Sequence, residues 1–178
     1  MSTATTTRLK VPAEPRLDRI RVSVDRREGY PLDLSPMISV IEHRPTADYG
    51  LLALPRVAAI EYKGSVADLA RSVGCDRGPF ENELQRMVGF PVRALVLACT
   101  WPQIMAGGWR ADVSPASVRG SLISWSMRYG LPIWVVGNPE GAAEIVREIL
   151  HRVAKDWWRQ ARSLVGNVLD LEVDGDDP

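Results

Sequence analysis

The apolar positions fall in short alternating runs over the first third of the chain and in longer runs and stripes after it. Ile20-Arg-Val-Ser-Val24 alternates, and Met37-Ile-Ser-Val-Ile41 is short and β-branched, so both predict strands. Leu51 to Leu54, a Pro55-Arg56 break and Val57 to Lys63 predict a hairpin pair, and the four runs together predict a small meander. Ser65 offers an N-cap for a helix through Arg71 with Gly74 at its exit, and a second helix is expected over about 79–88. Val92 to Cys99 is almost continuously apolar, the pattern of a strand in the middle of the sheet with both faces covered. Ser114-Pro115 opens a helix that Gly130 ends, and Leu131 to Val136 predicts a further buried strand. Ala142, Ile145, Val146, Ile149, Val153 and Trp157 form one stripe of a long helix from Asn138-Pro139 to about Arg162. Helices alternating with buried strands after a meander make an α/β sandwich.

At 178 residues the chain has room for one core. Residues 1–18, rich in Thr, Pro and charge without periodicity, read as a flexible arm, 19–165 as the folded domain, and 166–178 as an acidic tail carrying Glu172, Asp174, Asp176 and Asp177. With 46% apolar and 25% charged residues, the composition excludes collagen-like and wholly disordered chains. Lys plus Arg and Asp plus Glu number 22 each, so no global basic field marks a nucleic-acid or membrane partner. Such a partner must be met by a local patch. Cys75 and Cys99 with His43 and His151 do not make a zinc site of usual spacing, and a disulfide is not expected. No apolar run is long enough to span a bilayer and the first residues lack a signal-peptide core, so the expectation is a cytoplasmic protein.

The chemistry-bearing residues concentrate at strand ends and within strands: Asp25, Glu28, Asp48, Glu61, Lys63 and Asp68. Side chains alternate across a strand, so Glu61 and Lys63 share one face while Tyr62 turns to packing on the other. With Asp48 alongside, the pattern is an acid, a twelve-residue gap, then Glu-x-Lys. This suits phosphodiester hydrolysis, because hard Mg²⁺ takes oxygen ligands and keeps several waters, so two carboxylates and a phosphate oxygen can hold it. Lys63 then orients the nucleophile or offsets the developing negative charge. Asp25 is placed to reach the same metal or a second one, Arg27 to hold a phosphate with two donors, and Asp68 to complete the shell.

These residues carry a family resemblance. Asp25-Arg26-Arg27-Glu28 resembles an Asp-x-Arg-Glu motif, Asp48-Tyr49 a Gly-Asp-Tyr motif, and Glu61-Tyr62-Lys63 with Asp68-Leu69 a Glu-Arg-Lys-x-x-x-Asp-Leu motif. In that order and spacing they are similar to the XPF-like endonuclease domain, a branch of the PD-(D/E)XK nuclease superfamily, over about residues 19–160. The resemblance implies a restriction-endonuclease-like three-layer sandwich with a central mixed sheet flanked by helices. It implies a DNA endonuclease dependent on Mg²⁺, with Mn²⁺ as a substitute, that cuts branched, flapped or forked DNA in repair or recombination. Carried over residue by residue, Asp25, Asp48 and Glu61 are metal ligands, Lys63 the charge stabiliser, Arg27 and Glu28 supports, and Asp68 a further member. It also implies a homodimer or heterodimer formed through the C-terminal helices, and a nucleoid or nuclear location according to the cell type. Three departures stand out: Ala47 replaces the usual Gly, Tyr62 the central Arg, and Asp68 falls one residue late. Tyr62 and the shifted Asp68 motivate an alternative, a catalytically inactive scaffold that binds DNA or pairs with an active nuclease subunit.

Each feature also has a plainer reading. Glu61 and Lys63 read as an exposed cross-strand charge pair, Asp25 and Arg27 as a surface salt bridge, and Glu28 as an acid at a helix start. His43 and His151 read as ordinary surface residues. Trp125 and Trp134 sit in apolar patterns and are expected in the core, whereas Trp101 and Trp109 flank a Met105 to Gly108 loop and are candidates for stacking on bases. Trp157-Trp158 suit core or a dimer face. Arg147, Arg152, Lys155, Arg159 and Arg162 recur at helical spacing, either as a phosphate-tracking stripe or as a solvated face.

Overall fold

A computed structural model describes the backbone of residues 13–173 and the side chains of residues 13–165. The strands are β1 (Arg21–Asp25), β2 (Ile38–Glu42), β3 (Tyr49–Leu51), β4 (Ala58–Lys63), β5 (Val92–Leu97) and β6 (Ile133–Val135). The helices are α1 (Val66–Val73), α2 (Arg77–Met87), α3 (Trp101–Ala106), α4 (Pro115–Tyr129) and α5 (Pro139–Val173). The six strands form one mixed sheet in the order β2-β1-β3-β4-β5-β6. One face packs Val22, Val24, Tyr49, Ile60, Tyr62 and Val96 against the α5 stripe Ala142, Val146, Leu150 and Val153. The other packs Ala59, Leu95 and Leu97 against Leu69 of α1, Phe80 and Leu84 of α2, and Leu122 and Trp125 of α4. This is the expected three-layer α/β sandwich, with the sheet central and helices on both faces.

Local chemistry accounts for most of the elements. The Ser65 hydroxyl accepts the Asp68 amide at the start of α1, and Ser114 does the same for Ser117 at the start of α4, where Pro115 fills the first helical position. Gly130 ends α4 at a left-handed φ of 53°. Trp125 is fully buried with its ring edge-on to Phe80.

Several expectations are corrected. The first four strands are not a meander: β2 runs parallel to β1 at the sheet edge, and β3 lies between β1 and β4. The 26–37 connection is long enough to carry the chain back to the start of the sheet, which a tight turn does not allow. The Leu131–Val136 run holds an edge strand, not a buried one, because β6 ends the sheet with β5 as its one neighbour; Trp134, expected in the core, is 43% exposed there. The stretch after β5 holds a helix, α3, opened by a reciprocal Thr100–Gln103 capping box. No helix begins at Glu28, whose amide closes a turn on the Asp25 carbonyl. α5 continues past Arg162 to Val173, so Glu172 of the expected acidic tail lies in its last turn. Residues 1–12 of the expected arm and 174–178 of the tail lie outside the described residues, while Glu14 of the arm pairs with Lys155 of α5 at 2.6 Å. Cys75 is exposed and Cys99 buried, both as free thiols, and no helix among the described residues is long and apolar enough to cross a membrane.

One glycine is dictated by packing. A Cβ on Gly50 of β3 would stand 2.6 Å from the Arg44 guanidinium and 2.7 Å from the Ala58 carbonyl oxygen. Gly50→Ala is therefore expected to lower the unfolding free energy by about 2 kcal/mol or more, measured by urea denaturation. A change within about 0.5 kcal/mol would show that Arg44 moves aside without cost.

Candidate active site

Sheet register assembles the site. Val24 pairs with Tyr49 and Tyr49 with Ile60, both antiparallel, so one step further along each ladder sets Asp25, Asp48 and Glu61 level across three neighbouring strands and on one face. The backbone fixes this level: the Asp25 amide donates to the Asp48 carbonyl at 2.8 Å, and the Asp48 amide to the Ile60 carbonyl at 3.1 Å. Strand alternation puts Glu61 and Lys63 on the same face, toward α1 and α2. Tyr62 turns to the α5 side and meets Tyr49 edge-on, so it is a core residue.

The result is a cleft of about 350 Å³ whose wall includes Asp25, Asp48, Glu61, Lys63, Asp68 and Glu83. Lys63 Nζ lies 3.1 Å from Glu61 Oε1 and 4.6 Å above the Phe80 ring, a pairing that holds the ammonium while its stem is buried. The Asp48 carboxylate accepts the Tyr62 amide at 2.8 Å. Asp68 reaches the cleft from the first turn of α1, and its charge bears on both Lys63 and Glu61. The cleft shares Asp68 and Arg71 with a wider groove of about 960 Å³ between the 28–33 turn and the start of α5.

The electrostatics are those of a cleft short of positive charge. Burial pushes the Asp48 carboxyl up to about 8, and the negative charge of Glu61 pushes it the same way against the weaker pull of the Tyr62 amide and Lys63. Burial also raises Glu61, although Lys63 opposes it. For Lys63 burial works against the charge, but Glu61 and Asp68 outweigh it and the ammonium titrates above its ordinary value. Asp25 is different. Burial works against its charge, but Arg27 prevails and holds the carboxyl below its usual range. The Arg27 Nε donates to Asp25 Oδ2 at 2.8 Å and its amide to Oδ1 at 3.1 Å.

The structure thus brings together Asp48, Glu61, Lys63 and Asp68, with Asp25 and Arg27 on the rim as their own ion pair. Glu28 is not in the cleft: it lines the wider groove and its carboxylate accepts the Tyr30 amide. Among the described residues no three Asp, Glu, His or Cys side chains gather closely enough for a three-ligand metal centre. The donor set present is the pair Asp48 and Glu61, hard oxygen donors with raised carboxyl pKa values, which is chemistry that fits Mg²⁺ or Mn²⁺ completed by waters and a phosphate. Phe80, Arg44 and Glu83 were not singled out as site residues by the sequence, and the only signal for Phe80 and Glu83 is their place in the expected 79–88 helix. Elsewhere the basic α5 positions are largely engaged: Lys155 with Glu14, Arg159 with Asp156, Arg147 with the Asp33 carbonyl, and Arg162 over Trp158. Trp101 is exposed, whereas Trp109 is tied by its indole N–H to the Val113 carbonyl at 2.9 Å.

An acid whose folded pKa lies above its unfolded value binds its proton more tightly when folded. Ionised Asp48 therefore costs stability, and that cost grows as pH rises from about 4 to about 8. Asp48→Asn keeps an oxygen for the Tyr62 amide. In metal-free buffer at pH 8 it is expected to exceed wild type in stability by about 1 kcal/mol or more, with the gap closing toward pH 4. Identical thermal melting of the two proteins at both pH values would contradict the assignment.

No protein-family model matches the chain, and no curated protein sequence is similar to it. Among solved structures, XPF from Aeropyrum pernix is similar at a TM-score of 0.58 and 20% identity, over 75% of this chain and 61% of that one. XPF from Aeropyrum pernix in complex with DNA is similar at 0.59 and 20% identity, over 78% and 66%. The chain spans less than two thirds of either protein. The six-stranded mixed sheet with its flanking helices is an XPF-like nuclease fold.

Proposed function

We propose that this chain is a metal-dependent DNA endonuclease that hydrolyses phosphodiester bonds in branched, flapped or forked DNA. The observation that carries the proposal is the Asp48–Glu61 pair, one half-buried and one buried carboxylate facing one ammonium in an open cleft. Asp48 and Glu61 would hold Mg²⁺ or Mn²⁺, and Asp25 would join them only by releasing Arg27. The ion supplies Lewis-acid polarisation of a phosphoryl oxygen and a lowered pKa for bound water. Lys63, kept protonated by Glu61 and Asp68, stands ready to donate to a phosphate oxygen where negative charge develops. Phe80 supports that ammonium from below. Arg27 is more than half exposed at the rim and has guanidinium surface free to meet a neighbouring phosphate.

DNA as the partner is supported by the fold and by a similar protein having been solved in complex with DNA. The chain has no net charge, so recognition rests on local contacts and DNA shape rather than on a broad basic field. A homodimer or heterodimer is supported by the apolar groove that Trp134 and Trp157, both about two-fifths exposed, form with Ile145 and Ile149 at the β6 edge. A protein of this function works at the nucleoid or in the nucleus.

A second reading has its own observation. Asp25 is neutralised by Arg27 and, among the described residues, no three-carboxylate centre is gathered, as suits a nuclease-fold scaffold that binds DNA or a catalytic partner without cutting.

A labelled flap or fork incubated with the protein and Mg²⁺ or Mn²⁺ separates the two readings. Product that disappears with EDTA is expected. Lys63→Ala should reduce the rate about a hundredfold or more at a temperature where the variant is still folded. Binding without cleavage under both metals would favour the scaffold, and full activity in Lys63→Ala would remove the lysine from the mechanism.

A further inference from the structure

The turn that delivers Asp48 is held by side chains from outside its strand. Ala47 is buried and has φ 59°, a left-handed conformation that favours glycine, so the chain must be kept there by its surroundings. Its amide donates to Glu83 Oε1 of α2 at 2.6 Å. Its carbonyl accepts Arg44 Nε at 3.1 Å, and the Thr46 carbonyl accepts Arg44 Nη2 at 3.4 Å. Glu83 is in turn paired with Arg86, whose Nε donates to Thr46 Oγ1 at 3.3 Å. Arg44 is itself buried, with Nη1 on Ser23 Oγ at 2.9 Å, and its guanidinium occupies the space over Gly50. None of the acceptors that Arg44 binds is a carboxylate, although its charge lies among Glu42, Asp25, Asp48 and Glu83. Its hydrogen bonds therefore serve the geometry of the turn.

We infer that Glu83 and Arg44 are positioning residues: they clamp the Thr46–Ala47 peptide and thereby set where the Asp48 carboxylate stands against Glu61. The consequence for metal affinity rests on the reading of the cleft as a cation site. The placement of Asp48 does not, since the Tyr62 amide reports it directly.

The experiment uses the full chain and four variants. Glu83→Ala removes the acceptor, Glu83→Gln retains an oxygen for the Ala47 amide, and Ala47→Gly within Glu83→Ala lets the backbone take the left-handed conformation unaided. Arg44→Lys keeps the charge and loses the fork that spans two carbonyls. Each is followed by the ¹H–¹⁵N resonance of the Tyr62 amide and by Mn²⁺ affinity from electron paramagnetic resonance. Glu83→Ala is expected to move the resonance and weaken Mn²⁺ about tenfold or more, Glu83→Gln to stay within about threefold of wild type, and the added Ala47→Gly to recover most of the loss. Arg44→Lys should move the same resonance, and it decides between clamp and no clamp if Glu83→Ala does not fold. An unmoved Tyr62 amide, or a loss that Ala47→Gly leaves intact, overturns the clamp. Absence of Mn²⁺ binding by wild type would refute the cation site while the amide resonance still decides the clamp.

Discussion

Desolvation of two carboxyl groups that the sheet sets side by side, with the charge of Glu61 adding to it at Asp48, is the constraint on which this molecule turns. Antiparallel pairing on either side of β3 sets Asp48, half-buried, level with the buried Glu61, with one ammonium to answer them. A fold tolerates such an arrangement only when the surrounding contacts supply the difference, and here the supply is ample. Tyr62, Tyr49 and Ile60 turn to the opposite face and pack under α5, so the strands that carry the charges are among the best-buried of the sheet. The carboxylates cannot separate without pulling that core apart.

The layering explains why the cleft is open. α1, α2 and α4 cover the sheet from β4 outward, and over β1 and β3 the same face is closed by the 42–47 segment with its buried Arg44. Between these two covers lies a gap, floored by acidic residues and bounded by Phe80 and Lys63. Asp25, at the same level, is answered by Arg27 within its own turn and so has no unmet charge. The three acids are equivalent in register and unequal in electrostatics, and it is the inequality that singles out Asp48 and Glu61.

Much of this is legible in the sequence because alternation along a strand is a local rule. Glu61-x-Lys63 around Tyr62 announces two faces, and the long apolar run at Val92 announces a strand with helices on both sides. The motif resemblance sets Asp48 beside residues 61 and 63, whereas the layering and their shared face follow from those patterns. Partnership between distant segments does not. Nothing local says that β2 turns back parallel to β1, or that β6 falls at the sheet edge with Trp134 partly exposed. The capping box at Thr100 and Gln103 was present as a signal for α3, masked by the glycines that follow it. Arg44 and Glu83 read as ordinary polar residues of a loop and a helix, since their function depends on a peptide 36 residues upstream of one and three residues downstream of the other. Ala47 gains meaning only with its dihedral angle: a left-handed position suits glycine, and this chain holds an alanine there by other means.

Whether Asp48 and Glu61 form one cation site is tested most directly by crystals grown with Mn²⁺ and measured at the manganese absorption edge. An anomalous peak between the carboxylates of residues 48 and 61, lost in Asp48→Asn, is the predicted result. A difference map with both side chains ordered and the manganese elsewhere, or bound only through Asp25, would contradict it.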